Sequence, residues 1–507
     1  MTKCRTGMIA GMARSYRGKN NSLHLAVNRI NSVEAGHARN QRFPLFFHLI
    51  RGVAKYLPLL FLLVLSPAPP LFAAEGVSVA GRLKLTVPYA TEHHSVREEP
   101  TAHGRLVLDA EKEAGRLHLW LEGGWDGTVR GPRQDHGLLE SLDEVYQDNT
   151  PFLEVKELYG ERQLAAIDWR VGIQRFSWGR LDEFPVNDLF NPWDYHQFIV
   201  KSLEERKIGV PAVSAGLNRE EWNYQLVWAP WHVPYHLPDP DERWGVLPVA
   251  TLFPDLAGAE VNMREPELPA RTFANGSFGL RLQRLGDIDW AVNLFHGFDP
   301  RPVFATTALQ VNETGSGKTI IDPGLVPSFH RITSFGLDGA LVLGDWSLRE
   351  EAAATLNRGF NLQPELWGYP TQPATGVTQL PDIDINRDTI DYGLAADYRL
   401  VEDVILTLQA QQTLILDRPG ALYDRACETI LWANLRVYFL NQKLETTVNP
   451  AYNPEHNAAM LRASITYVLT DAWKTSLTTL ILHGPPASLF GRYAANDQLG
   501  LELVYAW

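Results

Sequence analysis

Three stretches of this 507-residue chain hold residue types whose spacing invites a chemical reading. The first is TGSGKT, Thr314 to Thr319. A phosphate-cradling loop needs a glycine five residues ahead of its Gly-Lys pair. That position holds Asn312, so the stretch reads as a turn. The second is HVPYH, with His232 and His236 four residues apart. On a helix the two imidazoles would share a face, but Pro234 between them forbids a helix. A zinc site needs three or four protein ligands, and no thiol or third histidine stands nearby, so no metal site is expected. The third and longest stretch, residues 180–208, is dense in polar and charged side chains: Asp182, Glu183, Asp188, Asn191, Asp194, Glu204, Glu205, Arg206 and Lys207. Asn191-Pro192 sets a turn within it. Such a mixture performs no covalent chemistry by itself, but it can position charge inside an aqueous space. No G-x-S-x-G nucleophile turn occurs, so nothing supports an enzyme.

The elements that must position these residues are extended. Period-two alternation recurs along the chain, as in RLHLWLEG (Arg116 to Gly123), SFGLRLQRL (Ser277 to Leu285) and VILTLQAQQTL (Val404 to Leu414). Such alternation argues for half-buried strands. It predicts eighteen, near 76–88, 103–111, 116–126, 152–162, 167–178, 210–218, 222–230, 276–285, 288–297, 329–342, 346–356, 388–399, 403–416, 428–439, 443–450, 458–469, 473–484 and 497–507. Short links such as KEAG, NREE, VED and LNQK alternate with long links rich in Pro, Asp and Asn. Together these features predict an all-β protein: one closed antiparallel transmembrane barrel of about eighteen strands, with sixteen the alternative. Lipid forces every backbone polar group to be paired, which only closure achieves. A soluble sandwich or propeller would explain the strands but not the loop asymmetry.

The polar face of each strand would then line the lumen. Arg281, Gln283, Asn293, Thr407, Gln409, Gln411, Lys443, Glu445 and Glu502 are the pore-lining candidates. The polar and charged residues of the loop 180–208 named above are the constriction candidates, because a long loop can fold into the lumen and constrict or plug it. The closing strand would be LGLELVYAW (Leu499 to Trp507), with its leucines toward lipid. Tyr505 and Trp507 would sit at the membrane interface, where amphipathic rings are favoured, and would act as an assembly signal.

Charge and cysteine usage narrow the class further. Residues 1–50 are a basic extension or a start assigned too early. Residues 51–74 contain the apolar run YLPLLFLLVL and read as a cleaved secretory signal. Residues 1–74 hold ten Lys/Arg and one acid, so residues 75–507 keep 36 Lys/Arg against 58 Asp/Glu, a net of −22. That balance disfavours nucleic acid and weakly favours cations in a pore. Of Cys4 and Cys427, only Cys427 follows the signal. A lone thiol forms no internal disulfide, and no C-x-x-C-H attaches haem, so no cofactor is expected.

One motif series goes beyond pattern. Residues 169–217 read WRVGIQRFSWG, then VNDLFNPWDY, then ERKIGVPAVSAGL. Gly172, Gln174, Trp178, Gly179, Asn191, Pro192, Asp194, Val210 and Pro211 carry a resemblance to outer-membrane porins of Gram-negative bacteria grouped as domains of unknown function, distantly like alginate-export barrels. The resemblance implies an outer-membrane location and passage of small hydrophilic solutes. Implied partners are the lipid bilayer, lipopolysaccharide and the outer-membrane assembly machinery. Two alternatives stay open. One is a scaffold barrel sheathing a periplasmic or cytochrome partner, such as a multihaem cytochrome in an electron conduit. The other is an outer-membrane hydrolase.

Overall fold

The computed structural model describes residues 76–91, 101–113, 115–125, 151–238, 243–245, 264, 266–314, 317–370 and 374–507. The basic extension and the signal segment lie outside the described residues. The wall strands up to the middle of the chain are β1 (Val77–Ala90), β2 (Thr101–Lys112), β3 (Gly115–Trp125), β4 (Pro151–Leu164), β5 (Ile167–Gln174), β6 (Val210–Arg219), β7 (Trp222–Ala229), β8 (Ser277–Arg284) and β9 (Ile288–Phe298). Four shorter strands follow: β10 (Val303–Thr306), β11 (Ala308–Thr314), β12 (Gly317–Asp322) and β13 (Leu325–Ser328). The wall resumes with β14 (Arg331–Leu343) and β15 (Trp346–Asn361), and after β16 (Gly376–Gln379) with β17 (Asp384–Val401) and β18 (Val404–Ile415). It ends with β19 (Cys427–Phe439), β20 (Leu444–Asn453), β21 (Ala458–Val468), β22 (Trp473–His483) and β23 (Gln498–Ala506).

Eighteen of these strands form one antiparallel sheet in which each pairs with the next around the ring. β23 pairs with β1 from Arg82↔Ala506 to Ala90↔Gln498, so the sheet is closed. The predicted strand number and closure match. The remaining strands sit in the long links, β10 with β13 and β12–β11–β16 as a second small sheet. Alternation did not single them out, because they are short and lie away from the membrane. Of TGSGKT, Thr314 ends β11 and pairs with Gly317 at the start of β12, and Lys318 and Thr319 continue that strand rather than a helix.

The register sorts side chains into two rings. Leu226, Leu280, Leu294, Phe335, Ala354, Ile390 and Leu414 are cross-strand neighbours in one unbroken outward row. One residue along each strand, Gln225, Arg281, Asn293 and Gly336 form the matching inward row. Exposed Val171, Leu280, Leu337, Leu394 and Leu477 belong to the outer face, which a transmembrane barrel presents to lipid. At the short-turn rim this face carries paired aromatics: Trp222 with Trp290, Trp346 with Tyr398, and Trp473 with Tyr505. An interfacial girdle of this kind marks where hydrocarbon gives way to headgroups.

Several boundaries differ from the sequence reading: β15 runs to Asn361 rather than 356 and β17 begins at Asp384 rather than 388, and two others bear on the site and the rim. The predicted strand 443–450 ends at Pro450. The strand instead continues to Asn453, leaving only four residues before β21 on the long-link side. Pro450 has no N–H to donate, and the β19–β20 ladder is interrupted beside it while the β20–β21 ladder runs on. β5 was expected to reach Trp178 and stops at Gln174, for a reason that belongs to the site.

The seam is completed by Trp507. Its N–H donates to Gly81 O and its carbonyl accepts from Gly81 N, both at 3.1 Å. Its ring lies on Gly81, where an added Cβ would stand 1.9 Å from ring carbon. Gly81→Val should therefore overpack the seam, at a cost of about 1–3 kcal/mol, and Trp507→Ala should unpack it. Both are expected to reduce the heat-modifiable folded band on gels while leaving the conductance of assembled barrels unchanged.

Candidate functional site

The 5–6 link, residues 175–209, folds back into the barrel. Its base is zipped by two side chains. Asn191, with no exposed surface, accepts the Phe176 N–H at 2.6 Å and donates to Gln174 O at 3.1 Å and Ile208 O at 2.7 Å. This amide replaces the next rung of the ladder, so β5 ends and the chain turns inward. Lys207 donates to Phe176 O at 2.7 Å and to Ser177 Oγ at 3.1 Å, and pairs with Asp188. Gln174 ties the same corner to β6, donating to Ala212 O at 2.8 Å and accepting from Ser214 Oγ at 2.7 Å. Val210 and Pro211 begin β6 opposite Gln174 and Ile173.

Beyond this base the loop is bolted to distant walls. Glu351 on β15, 2% exposed, receives four backbone N–H groups: Arg180, Leu181 at 2.5 Å, Val186 at 2.8 Å and Asn187 at 2.9 Å. Gly179 permits the approach. Its φ is +102°, and a Cβ would lie 2.5 Å from Glu351 Oε1. Asp338 on β14 is fully buried and accepts from Arg180 Nε at 2.9 Å, from Arg281 at 2.7 and 3.0 Å, and from Asn293 at 3.1 Å. Asp182 meets Arg349 of β15 at 2.7 Å, and its N–H donates to Gln409 of β18. Glu183 bridges Arg206 at 2.7 Å and Arg462 of β21 at 2.6 Å.

At the opposite wall a single helical turn, Leu203–Arg206, is capped by Ser202 and Glu205 in a capping box. Glu205 then meets Arg82 at 2.8 Å and Lys84 at 2.6 Å on β1, and Glu204 meets Arg105 of β2 at 3.0 Å. The segment thus touches wall strands on several sides of the ring. Two apolar clusters fill the space beneath it. One joins Phe176, Trp178 and Phe190 to Val227, Phe295 and Ile332 of the wall. The other joins Phe198 and Ile199 to Trp432, Met460, Leu480 and Leu482. Trp178 donates its indole N–H to Gln225 at 2.9 Å and packs edge-on to Phe190.

Space remains around the loop. On the short-turn side, a pouch of about 490 Å³ is lined by Tyr159, Arg170, Arg175, Gln225, Arg281 and Gln283. A second, of about 570 Å³, is lined by Asp182, Arg349, Thr407, Asn434, Arg436 and Arg462. On the long-link side, a vestibule of about 870 Å³ includes Gln411, Thr413, Arg418, Glu428 and Arg492.

Most pore-lining candidates face this interior, but few are free. Arg281 and Asn293 are locked to Asp338. Thr407 donates to Asp397 at 2.7 Å, and Gln409 holds the loop. Glu445 pairs with Arg436 at 3.2 Å. Glu502 lines a small cavity beside Lys84. Lys443 differs: it stands exposed in the turn between β19 and β20, where the strand begins one residue later than predicted, so it is not in the wall. Sequence reasoning missed Glu351, Asp338, Arg349, Arg462, Arg82 and Lys84. The available signal was an ionisable residue at an inward position of a predicted strand.

Two loop carboxylates are shifted in opposite senses. Burial dominates at Asp188 and pushes its carboxyl up to about 6, against the pull of Lys207. Burial also opposes the charge of Glu205, but Lys84 and Arg82 beside it hold its carboxyl well below the usual range.

No family model matches the chain, and no curated protein matches it in sequence, so the resemblance at residues 169–217 rests on its motifs. Solved structures similar in shape include OccK8 (OprE) of Pseudomonas aeruginosa, 9% identical, TM-score 0.47, covering 85% of this chain and 98% of that one. OccAB1 of Acinetobacter baumannii is 6% identical, TM-score 0.46, covering 85% and 95%. OmpF of Salmonella typhi, in complex with daunomycin, is 10% identical, TM-score 0.41, covering 85% and 97%.

Glu351→Gln keeps the volume but replaces one acceptor oxygen with a donor. Charge-assisted hydrogen bonds are worth about 1.5–3 kcal/mol each, so losing two should free the loop locally. Single-channel records are expected to show larger and noisier conductance than wild type. The Asp188 shift predicts a pH effect with a defined sign. Its native carboxyl binds a proton more tightly than the unfolded one, so its stabilising contribution is full below its ordinary value of 3.8 and is lost as pH rises through about 6. Glu205 acts in the opposite sense, losing its contribution only as pH falls below its ordinary 4.5. The urea midpoint of wild type, relative to Asp188→Asn, should therefore rise between pH 7 and pH 5.

Proposed function

We propose that this protein is a passive channel in the outer membrane of a Gram-negative bacterium, admitting small hydrophilic solutes past the loop in its bore. The observation that carries this reading is the pinned 175–209 loop with polar space left on both of its sides. A barrel of this strand number has an aqueous interior unless something fills it. Here the chain's own segment occupies much of that interior, which leaves little room for a multihaem partner and favours a channel over a sheath.

The net acid excess gives only a weak cation preference in this reading. Asp182, Glu183, Glu204, Glu205, Asp338 and Glu445 are each paired with Arg or Lys, so their charge is largely neutralised where solute passes. The export signal, the lipopolysaccharide-bearing membrane and assembly through Tyr505 and Trp507 belong to the same proposal.

Removing about fifteen loop residues, from 184 to 198, should raise single-channel conductance in planar bilayers severalfold, in line with the space vacated. Conductance equal to wild type would sink the constriction role. Purified barrel that conducts no ions without a partner would favour the sheath instead.

A further inference from the structure

We propose that Asp194, His196 and His236 form a binding site for a divalent ion of borderline softness, Zn²⁺ in the first instance. The site would clamp the 7–8 link onto the loop in the bore. The sequence places His236 beside His232, but the fold separates them. His232 packs against Phe329 and Phe298 at 4.5 and 5.7 Å between ring centroids. His236 instead meets two residues of the bore loop, and one ligand-type atom from each of the three lies within 4.8 Å of the others. All three side chains are buried, at 5%, 5% and 8% exposure.

The backbone holds the group together without any ion. Asp194 and His236 form a parallel bridge. Tyr195 N–H donates to His236 O at 2.8 Å, His236 N–H to Trp193 O at 3.1 Å, and Asp194 N–H to Arg206 O at 2.7 Å. Two ligands from one loop and one from another are therefore fixed in register. Asp194 Oδ1 is 2.7 Å from His196 Nδ1, already a bite that one ion could span. Zinc lies about 2.0–2.2 Å from such ligands, so the three ligand atoms, now within 4.8 Å of one another, must draw together around it.

The donor set selects the ion class. Two imidazoles and one carboxylate suit Zn²⁺, Cu²⁺ or Ni²⁺ better than Ca²⁺ or Mg²⁺, which take oxygen cages. Lys201 donates to Asp194 Oδ2 at 3.2 Å and the His196 N–H to Oδ1 at 3.0 Å, which orients the carboxylate as outer-shell partners do; the ion would take the Oδ1 lone pair that now faces His196 Nδ1. Both imidazoles must bind as neutral rings; if His196 uses Nδ1, its proton resides on Nε2. The remaining coordination position would be filled by water, as in open three-ligand sites.

The test uses untagged, full-length barrel in detergent, stripped with chelator, loaded with Zn²⁺, dialysed and analysed for metal. The expected result is one Zn²⁺ retained per chain. His196→Gln and His236→Gln should each weaken binding at least tenfold, while His232→Gln binds as wild type. Zn²⁺ should also raise the thermal midpoint of wild type and of His232→Gln, but not of the other two. Wild-type protein that retains no Zn²⁺ overturns the proposal without recourse to any variant. Equal retention by all four proteins also overturns it, because the ion would then sit elsewhere and the cluster would be only an Asp–His hydrogen-bond latch.

Discussion

Two carboxylates face each other across strands β14 and β15 on the inside of this barrel. Asp338 and Glu351 are directly opposed in register, and both are buried. Like charges in that position repel, and burying them without partners is costly. Donors must therefore be brought to them. The wall supplies Arg281 and Asn293 to Asp338. The 175–209 loop supplies the rest: the Arg180 guanidinium to Asp338 and four backbone N–H groups to Glu351. The interior of the barrel is organised around satisfying this pair.

From that constraint the loop's features follow in order. Gly179 is needed because the backbone passes too close to Glu351 for a Cβ. Arg180 must follow at once to reach Asp338. The chain then returns through Asn191, which closes the base, and runs on to the capped turn that delivers Glu205 to Arg82 and Lys84. The ion pairs at the two walls act at long range in sequence. Their desolvation cost is offset by multiple hydrogen bonds at each carboxylate, the condition under which buried charge is tolerated. The apolar clusters beneath the loop add a core that a simple water-filled barrel lacks.

The wall was legible in the sequence because its cause is local. Lipid outside and polar space inside impose a period of two on every strand, and closure follows from unpaired edges being forbidden. Leu226, Leu280 and Phe335 advertise the outer face, and Arg281 and Asn293 the inner one. The loop's charge and its Asn-Pro turn were visible too, as was Gly179. The bolts were not. Asp338 and Glu351 each look like one more acid on a solvated strand. Their meaning depends on strand register and on a segment far away in the chain, and alternation is blind to both. His236 shows the same limit: its nearest histidine in sequence is His232, but its neighbours in space are Asp194 and His196. Pro450 and Lys443 mark the finer limit, where strand ends shift by up to five residues with the ladder they join.

The 175–209 loop is held as firmly as the wall, through Glu351. Amide hydrogen exchange on the folded barrel in detergent reads this directly, at the peptide covering Arg180, Leu181, Val186 and Asn187. Those amides should exchange as slowly as those of strands β14 and β15, and Glu351→Gln should release them selectively. Exchange as fast as that of exposed turn amides such as Lys443 in the wild-type barrel would contradict the account.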